Sequence, residues 1–290
     1  RMVTKVKTGI VFEGGAFRTI FSCGVMDALV ENDIMPDYMI GVSAGAAYGV
    51  SMASKQPRRN LDVLMKYRND KRYLGLSNMI DKDNKSIYGL EFSYETIPNE
   101  LNLFDYDAFK QYKGDFYCVV TNLLTGQPEY MKYTGDDRTN TVLKATCALP
   151  MLFPPIIIND VPYMDGGLSD SIPYLKAIED GCDRIIVVLT RQSGYTKTTS
   201  RSTKAIAYSY RNQYPKLTET MLTRASRYNE SLKGLDQYVK EGRIITIQPT
   251  TSKGFSRLEK DKNKILSMYN DGYNQCYELL DTIKEFYGIK

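Results

Sequence analysis

Residues 37–54 read Asp-Tyr-Met-Ile-Gly-Val-Ser-Ala-Gly-Ala-Ala-Tyr-Gly-Val-Ser-Met-Ala-Ser, and this stretch decides the fold. After Pro36, Asp37 to Ile40 forms a short strand that runs into Gly41-Val42-Ser43-Ala44-Gly45. Ala44 to Ser54 then opens a helix of small residues that packs tightly on a sheet. The glycines two before and two after Ser43 permit a sharp strand-to-helix turn, where a side chain would crowd the neighbouring backbone. Such a turn holds the Ser43 hydroxyl at the carboxyl end of the sheet, beside a helix N-terminus. Gly-x-Ser-x-Gly alone recurs by chance in roughly one chain in ten of this size, so its context carries the reading. The plainer alternative is a small-residue turn with an incidental serine.

Working outward, Val6 to Phe12 reads as a buried strand and Glu13-Gly14-Gly15-Ala16 as a turn. Phe17, Ile20, Phe21, Gly24, Val25, Ala28 and Leu29 follow at helical spacing until Asn32-Asp33 stops the run. Strand, helix, strand, helix with short links predicts an α/β fold, a three-layer sandwich around a mostly parallel sheet. Asn60 to Tyr67 is read as helix, and the polar, tyrosine-rich Ser77 to Asp107 as loop or short helix. Strands are expected over Asp115 to Thr121, Glu129 to Tyr133, Ile156 to Ile158, Val161 to Met164 and Arg184 to Leu189. Helices are expected over Asn140 to Cys147 and Pro173 to Asp180. A long loop, Arg191 to Lys204, leads to helices around Tyr208 to Glu241, a strand Arg243 to Gln248 and a terminal helix Asp261 to Tyr287. That late strand predicts one domain over residues 1–290, with its motifs in residues 6–190 and residues 191–290 completing or covering the core.

The 290 residues contain no histidine, and this narrows the chemistry more than any other compositional fact. A serine hydroxyl is a weak nucleophile until a base takes its proton, and the usual imidazole is missing. If Ser43 is catalytic, its base is a carboxylate, a lysine, or a group outside the chain. A net charge of +4 spread among 34 acidic residues gives nucleic acid binding little support. The five cysteines (Cys23, Cys118, Cys147, Cys182 and Cys276) are widely spaced and lie among apolar residues. They read as buried, reduced thiols of a cytoplasmic protein, with no metal site and no cofactor. No signal peptide or membrane-length apolar run is read in the chain.

Acyl transfer also needs donors for the developing oxyanion. The turn Gly14-Gly15-Ala16 follows one strand and precedes a helix, so its amides can face a negative oxygen. The competing reading is a phosphate loop or a plain tight turn, although a full Gly-x-Gly-x-x-Gly is not present. Arg18 either braces this loop, faces an anionic substrate, or is a solvated helix arginine. Asp165, in Met164-Asp165-Gly166-Gly167, stands where a strand stops; an aspartate before glycines is ordinarily a turn former, but Ser43 needs a proton acceptor. Lys55 is carried away by helix geometry. Leu74, Leu76, Met79 and Ile80 read as a buried helix edge, with a lid over a groove as the alternative.

Gly14-Gly15-Ala16-Phe17-Arg18, Gly41-Val42-Ser43-Ala44-Gly45 and Asp165-Gly166-Gly167, in this order, resemble the patatin-like phospholipase family. Ala145-Thr146-Cys147-Ala148-Leu149-Pro150, Phe153-Pro154-Pro155 and Ser169-Asp170-Ser171-Ile172-Pro173 extend the likeness, which covers about Val6 to Thr190. The resemblance implies a patatin-like fold and a lipid acyl hydrolase that acts on phospholipid or another acyl ester, with peripheral membrane contact. It implies a Ser43–Asp165 dyad, an oxyanion hole at Gly14, Gly15 and Ala16, support of that loop by Arg18, and motif glycines at Gly41, Gly45, Gly166 and Gly167. A thioesterase or small-ester hydrolase with the same dyad, and a non-catalytic lipid-binding module, remain alternatives. Two positions depart from the family pattern: Ala16 and Thr19 stand where glycines are usual. Ala16 keeps its amide as a donor unless the loop needs a positive φ there, and Thr19 is tolerable inside a helix.

Overall fold

The computed structural model describes residues 5–289; the two ends of the unit expected over residues 1–290 lie outside them. Eight strands form one sheet: β1 (Thr8–Phe12), β2 (Tyr38–Val42), β3 (Asp115–Asn122), β4 (Pro128–Lys132), β5 (Ile156–Ile158), β6 (Val161–Asp165), β7 (Arg184–Val188) and β8 (Ile244–Ile247). Their order is β5-β6-β3-β2-β1-β7-β8, with β4 paired to β3. The run from β3 through β8 is parallel, whereas β4, β5 and β6 attach antiparallel at the β3 end. The expected α/β layering is therefore present, with an antiparallel margin.

Period-two burial splits each central strand between two cores. Ile10 and Phe12 of β1, Met39 of β2 and Phe116 of β3 join one cluster. Val11, Ile40, Val42 and Val119 join the other. The first face is covered by α1 (Ile20–Glu31), α2 (Ala44–Ala53) and the helix Lys262–Glu278. The second is covered by the helix Tyr174–Glu179 and the long helix Pro215–Lys240. The C-terminal third is thus built into both layers, and Tyr287 ties its last helix to β1 by a 2.6 Å hydrogen bond to the Gly9 carbonyl.

α1 and Lys262–Glu278 approach backbone to backbone. A Cβ on Gly24 would collide with the Tyr269 carbonyl oxygen and lie 2.6 Å from the Tyr273 nitrogen; one on Gly272 would collide with the Phe21 carbonyl oxygen. Gly24→Ala gains helix propensity of about 1 kcal/mol, but overpacking against rigid backbone costs up to about 3 kcal/mol. The expected result is a net loss of about 2 kcal/mol, read as a lower urea midpoint at unchanged slope.

Local differences from the expected elements have identifiable causes. Val6 is 42% exposed, and β1 begins only at Thr8. The first helix starts as a 3-10 turn, Ala16–Thr19, and becomes α-helical at Ile20. Within Ser77 to Asp107 lie a short helix Ser77–Ile80 and a wide-turn helix Phe92–Leu101 that contains Pro98. Proline removes one amide, and the widened turn accommodates the interrupted ladder. Pro215 also divides the expected Tyr208 to Glu241 helices: Arg201–Ser209 ends before it, and the long helix begins at it. The predicted loop ends earlier than expected, because Ser200 accepts a hydrogen bond from the Thr203 amide and caps that first helix. Leu76 and Ile80 are 75% and 85% exposed, so the expected buried edge does not hold there, although Leu74 is buried.

Candidate active site

β2 ends in the serine turn. Ser43 has φ 56° and ψ −129°, a conformation rare outside glycine, immediately before α2. The close packing around it explains the two motif glycines. A Cβ on Gly41 would lie 2.6 Å from the Ala46 nitrogen and Cα, and one on Gly45 would lie 2.5 Å from the Phe12 carbonyl oxygen. Thr146 fixes the turn from the side: its hydroxyl accepts from the Ser43 amide at 2.9 Å and donates to the Val119 carbonyl at 2.6 Å.

Sheet register explains how two sequence-distant residues come together. Val42 is paired with Val119 of β3, and the next β3 residue, Val120, is paired with Asp165 at the end of β6. Ser43 and Asp165 consequently lie in adjacent register and line the same cavity. Asp165 is 2% exposed. Its Oδ1 accepts the Gly167 amide at 2.7 Å, and its own amide donates to the Ala148 carbonyl at 2.8 Å. Burial pushes the Asp165 pKa up; the Ser43 hydroxyl, the Gly167 amide and the charges of Arg224 and Arg257 oppose that rise. A Cβ on Gly166 would collide with the Val119 carbonyl, so the turn after Asp165 requires glycine.

The loop Gly14-Gly15-Ala16 faces this turn closely enough that a Cβ on Gly14 would lie 2.9 Å from the Ser43 Cβ. None of its three amides donates to a backbone or side-chain acceptor among the described residues. The loop is held through its other groups. The Gly14 carbonyl accepts from the Thr190 hydroxyl at 2.8 Å, and the Gly15 carbonyl accepts from the Arg18 amide at 3.0 Å. The Arg18 guanidinium makes no hydrogen bond within the loop; its Nε is buried without a partner among the described residues. Ala16 has φ 48°, so the loop does require the left-handed region at the position where the chain lacks glycine. That conformation costs alanine about 1–2 kcal/mol, against about 0.4–1 kcal/mol of unfolded-state entropy that glycine would restore. Ala16→Gly is therefore expected to stabilise the protein by about 0.5–1 kcal/mol, measured as a higher urea midpoint. Thr19 ends the 3-10 turn fully buried, its hydroxyl unpartnered, at the entry to α1 rather than inside it.

Ser43 stands between two unlike spaces. One is an apolar cleft with Phe17, Tyr88, Ile97, Leu143 and Phe153 among its walls. The other is a polar cavity lined by Asp165, Glu13, Arg18, Arg191, Lys197 and Arg224. Cys147, expected to be buried, is only half-buried and borders the apolar cleft, where burial raises its thiol to about 12. None of Leu74, Leu76, Met79 and Ile80 lines that cleft.

Several residues of the polar cavity escape sequence reasoning. Glu13 is 5% exposed and accepts from the Thr190 amide at 2.7 Å and from the Tyr228 hydroxyl at 2.7 Å, binding the first loop to the second core. Its signal was a carboxylate directly after an apolar strand. Arg224 and Tyr228, four residues apart, share one face of the long helix, a spacing that marks a face without saying what the face meets.

The mostly parallel sheet, the strained serine at a strand–helix junction and the carboxylate in adjacent register define an α/β protein that brings Ser43 and Asp165 to one end of its sheet. The model of the patatin-like phospholipases matches residues 10–178, and the chain belongs to that family. A second family model, described as a domain of unknown function (DUF6363), matches residues 214–288. The chain is 27% identical over 196 residues to the uncharacterized protein YjjU of Escherichia coli, covering 63% of this chain and 52% of that protein. It is 29% identical over 191 residues to the lysophospholipase nte1 of Aspergillus terreus, covering 62% of this chain and 12% of that protein. It thus spans about half the length of the first relative and about an eighth of the second. The structure of VipD from Legionella pneumophila superimposes with a TM-score of 0.48 at 15% identity, over 95% of this chain and 67% of that one.

Proposed function

We propose that the chain is a lipid acyl hydrolase that cleaves carboxylic ester bonds through Ser43 and Asp165. The supporting observation is the position of Ser43, in a strained turn between an apolar cleft and a polar cavity, with Asp165 beside it. In this reading the acyl chain occupies the apolar cleft, and the alcohol portion of the ester lies in the polar cavity. Asp165 takes the hydroxyl proton as the Ser43 Oγ attacks the ester carbonyl. The unengaged amides of Gly14, Gly15 and Ala16 stabilise the negative oxygen of the tetrahedral intermediate, each well-placed donor contributing about 3 kcal/mol.

Collapse of that intermediate breaks the ester C–O bond, and the proton held by Asp165 passes to the departing alcohol. Asp165 then takes a proton from water, whose oxygen attacks the acyl-serine carbonyl. Release of the fatty acid returns that proton to the Ser43 oxygen. A lipid substrate implies peripheral contact with a lipid surface, and no helix among the described residues is long and apolar enough to cross a membrane. Five free thiols suit the reducing conditions of a cytoplasm. The test is incubation with mixed phospholipids and short acyl esters, followed by identification of the products and of the residue labelled by a fluorophosphonate. Fatty acid release with label on Ser43 is expected; a folded protein that takes no label and releases no acid would sink the proposal.

A further inference from the structure

The polar cavity beside Ser43 carries far more positive charge than the dyad chemistry requires. Arg18, Arg191, Lys197, Arg224 and Arg257 line it, against the two carboxylates Glu13 and Asp165. Glu13 is already engaged by Thr190 and Tyr228. Among the described residues, none of the five cations forms an ion pair with a carboxylate. Arg18 is only 8% exposed, and the Nε atoms of both Arg18 and Arg224 are buried without a hydrogen-bond partner among the described residues. Leaving a buried charged donor unmet is costly, so a cavity built this way favours an anion. Desolvation and the neighbouring arginines push Lys197 down to about 7 and Arg18 to about 10, which reflects the same unneutralised surplus.

Geometry gives the anion a place in the reaction. Arg224 Nη2 lies 3.3 Å from the position a Cβ on Gly167 would take, directly beside the turn that follows Asp165. Arg191 and Lys197 come from the loop after β7, and Lys197 lies 4.8 Å from the centre of the Tyr228 ring. Ser43 is shared with the apolar cleft. A lipid whose acyl chain fills the cleft therefore directs its alcohol portion at these cations. Guanidinium forks match phosphate oxygens in pairs, and a surplus of cations disfavours a quaternary ammonium in the same space.

Resting on the hydrolase reading above, we propose that this cavity binds the phosphate of the ester's alcohol, and that the enzyme prefers acyl glycerol phosphates with a bare phosphomonoester to choline-bearing ones. Arg191, Lys197 and Arg224 form the recognition wall. Arg224 and Tyr228 belong to residues 214–288, so that segment of unknown function supplies headgroup recognition to the catalytic half.

The test compares kcat/KM for monoacylglycerol phosphate, monoacylglycerol phosphocholine and uncharged monoacylglycerol. Lys197→Met and Arg191→Met are suited to it, because the leading influences on Asp165 are its burial, Ser43, Gly167, Arg224 and Arg257. The wild type is expected to favour the phosphomonoester over both competitors, and each variant to lower the phosphomonoester-to-uncharged ratio by about 10-fold or more, chiefly through KM. Equal ratios in wild type and both variants would overturn the assignment. A binding arm uses Ser43→Ala protein and calorimetry with monoacylglycerol phosphate, glycerol 3-phosphate and inorganic phosphate. Tighter binding of the lipid than of inorganic phosphate supports a headgroup site, whereas equal affinities assign the cavity to free phosphate and overturn the proposal. Should the wild type cleave no ester while Ser43→Ala still binds glycerol 3-phosphate through Lys197, the hydrolase reading fails separately from the phosphate site.

Discussion

Ser43→Ala is expected to lower kcat/KM on acyl esters by about 10⁴-fold or more and to abolish fluorophosphonate labelling, while the protein stays folded. The size of the loss follows from the role: without a nucleophile no acyl-enzyme forms, and only the amide donors and binding remain to act on attacking water. The fold should survive because the features that hold the turn are not those being removed. The backbone bonds at position 43, its amide to the Thr146 hydroxyl and its carbonyl from the Ala46 and Ala47 amides, are ones alanine keeps. The φ of 56° is as demanding for alanine as for serine, so backbone strain is unchanged. Equal melting temperatures for wild type and Ser43→Ala, with activity lost, would assign the change to chemistry. A parent-like rate would remove Ser43 from the mechanism.

How much of this was legible in the sequence depends on how local each feature is. The β1–α1–β2–α2 progression was readable because its signals are short-range: apolar runs of strand length, glycines at turns, small residues on α2. The dyad candidates were readable because the absent histidine forced the search toward a carboxylate, and Asp165 sits at a strand end before two glycines. Their juxtaposition was not readable, since it depends on β6 pairing antiparallel with β3 one residue beyond the β2 register. The positive φ at Ala16 depends on how the loop closes against the serine turn, which no local pattern encodes. Most hidden of all was the cationic wall. Arg224 appears on a helix rich in polar residues, where an arginine ordinarily faces solvent, and nothing in the 3.6-residue period says that this face meets Gly167. Arg191 and Lys197 lay in a stretch read as plain loop, and long loops beside a rigid sheet are where binding residues concentrate.

Asp165→Asn is expected to reduce kcat by about 10²–10⁴-fold, the range general-base catalysis contributes, and its pH behaviour separates that role from mere support of a turn. The amide oxygen of asparagine can still accept the Gly167 amide, so the turn keeps its 2.7 Å bond while the proton acceptor is lost. With Asp165 as the proposed base, the working form is the carboxylate. Because burial raises its pKa above the ordinary 3.8, activity should fall on acidification through that raised value and show no imidazole inflection near neutrality. Stability should run the other way. A carboxyl group whose pKa is higher folded than unfolded binds protons more tightly in the native state, so its contribution is greatest below the unfolded value and declines as pH rises through the folded one. Asparagine removes that decline. The ratio of wild-type to variant unfolding midpoints in urea should therefore drop as pH rises from about 3.8 through the raised pKa. A variant with parent-like kcat and a pH-independent stability difference would mean that Asp165 only shapes the turn, and the base would have to be sought among the other groups facing Ser43.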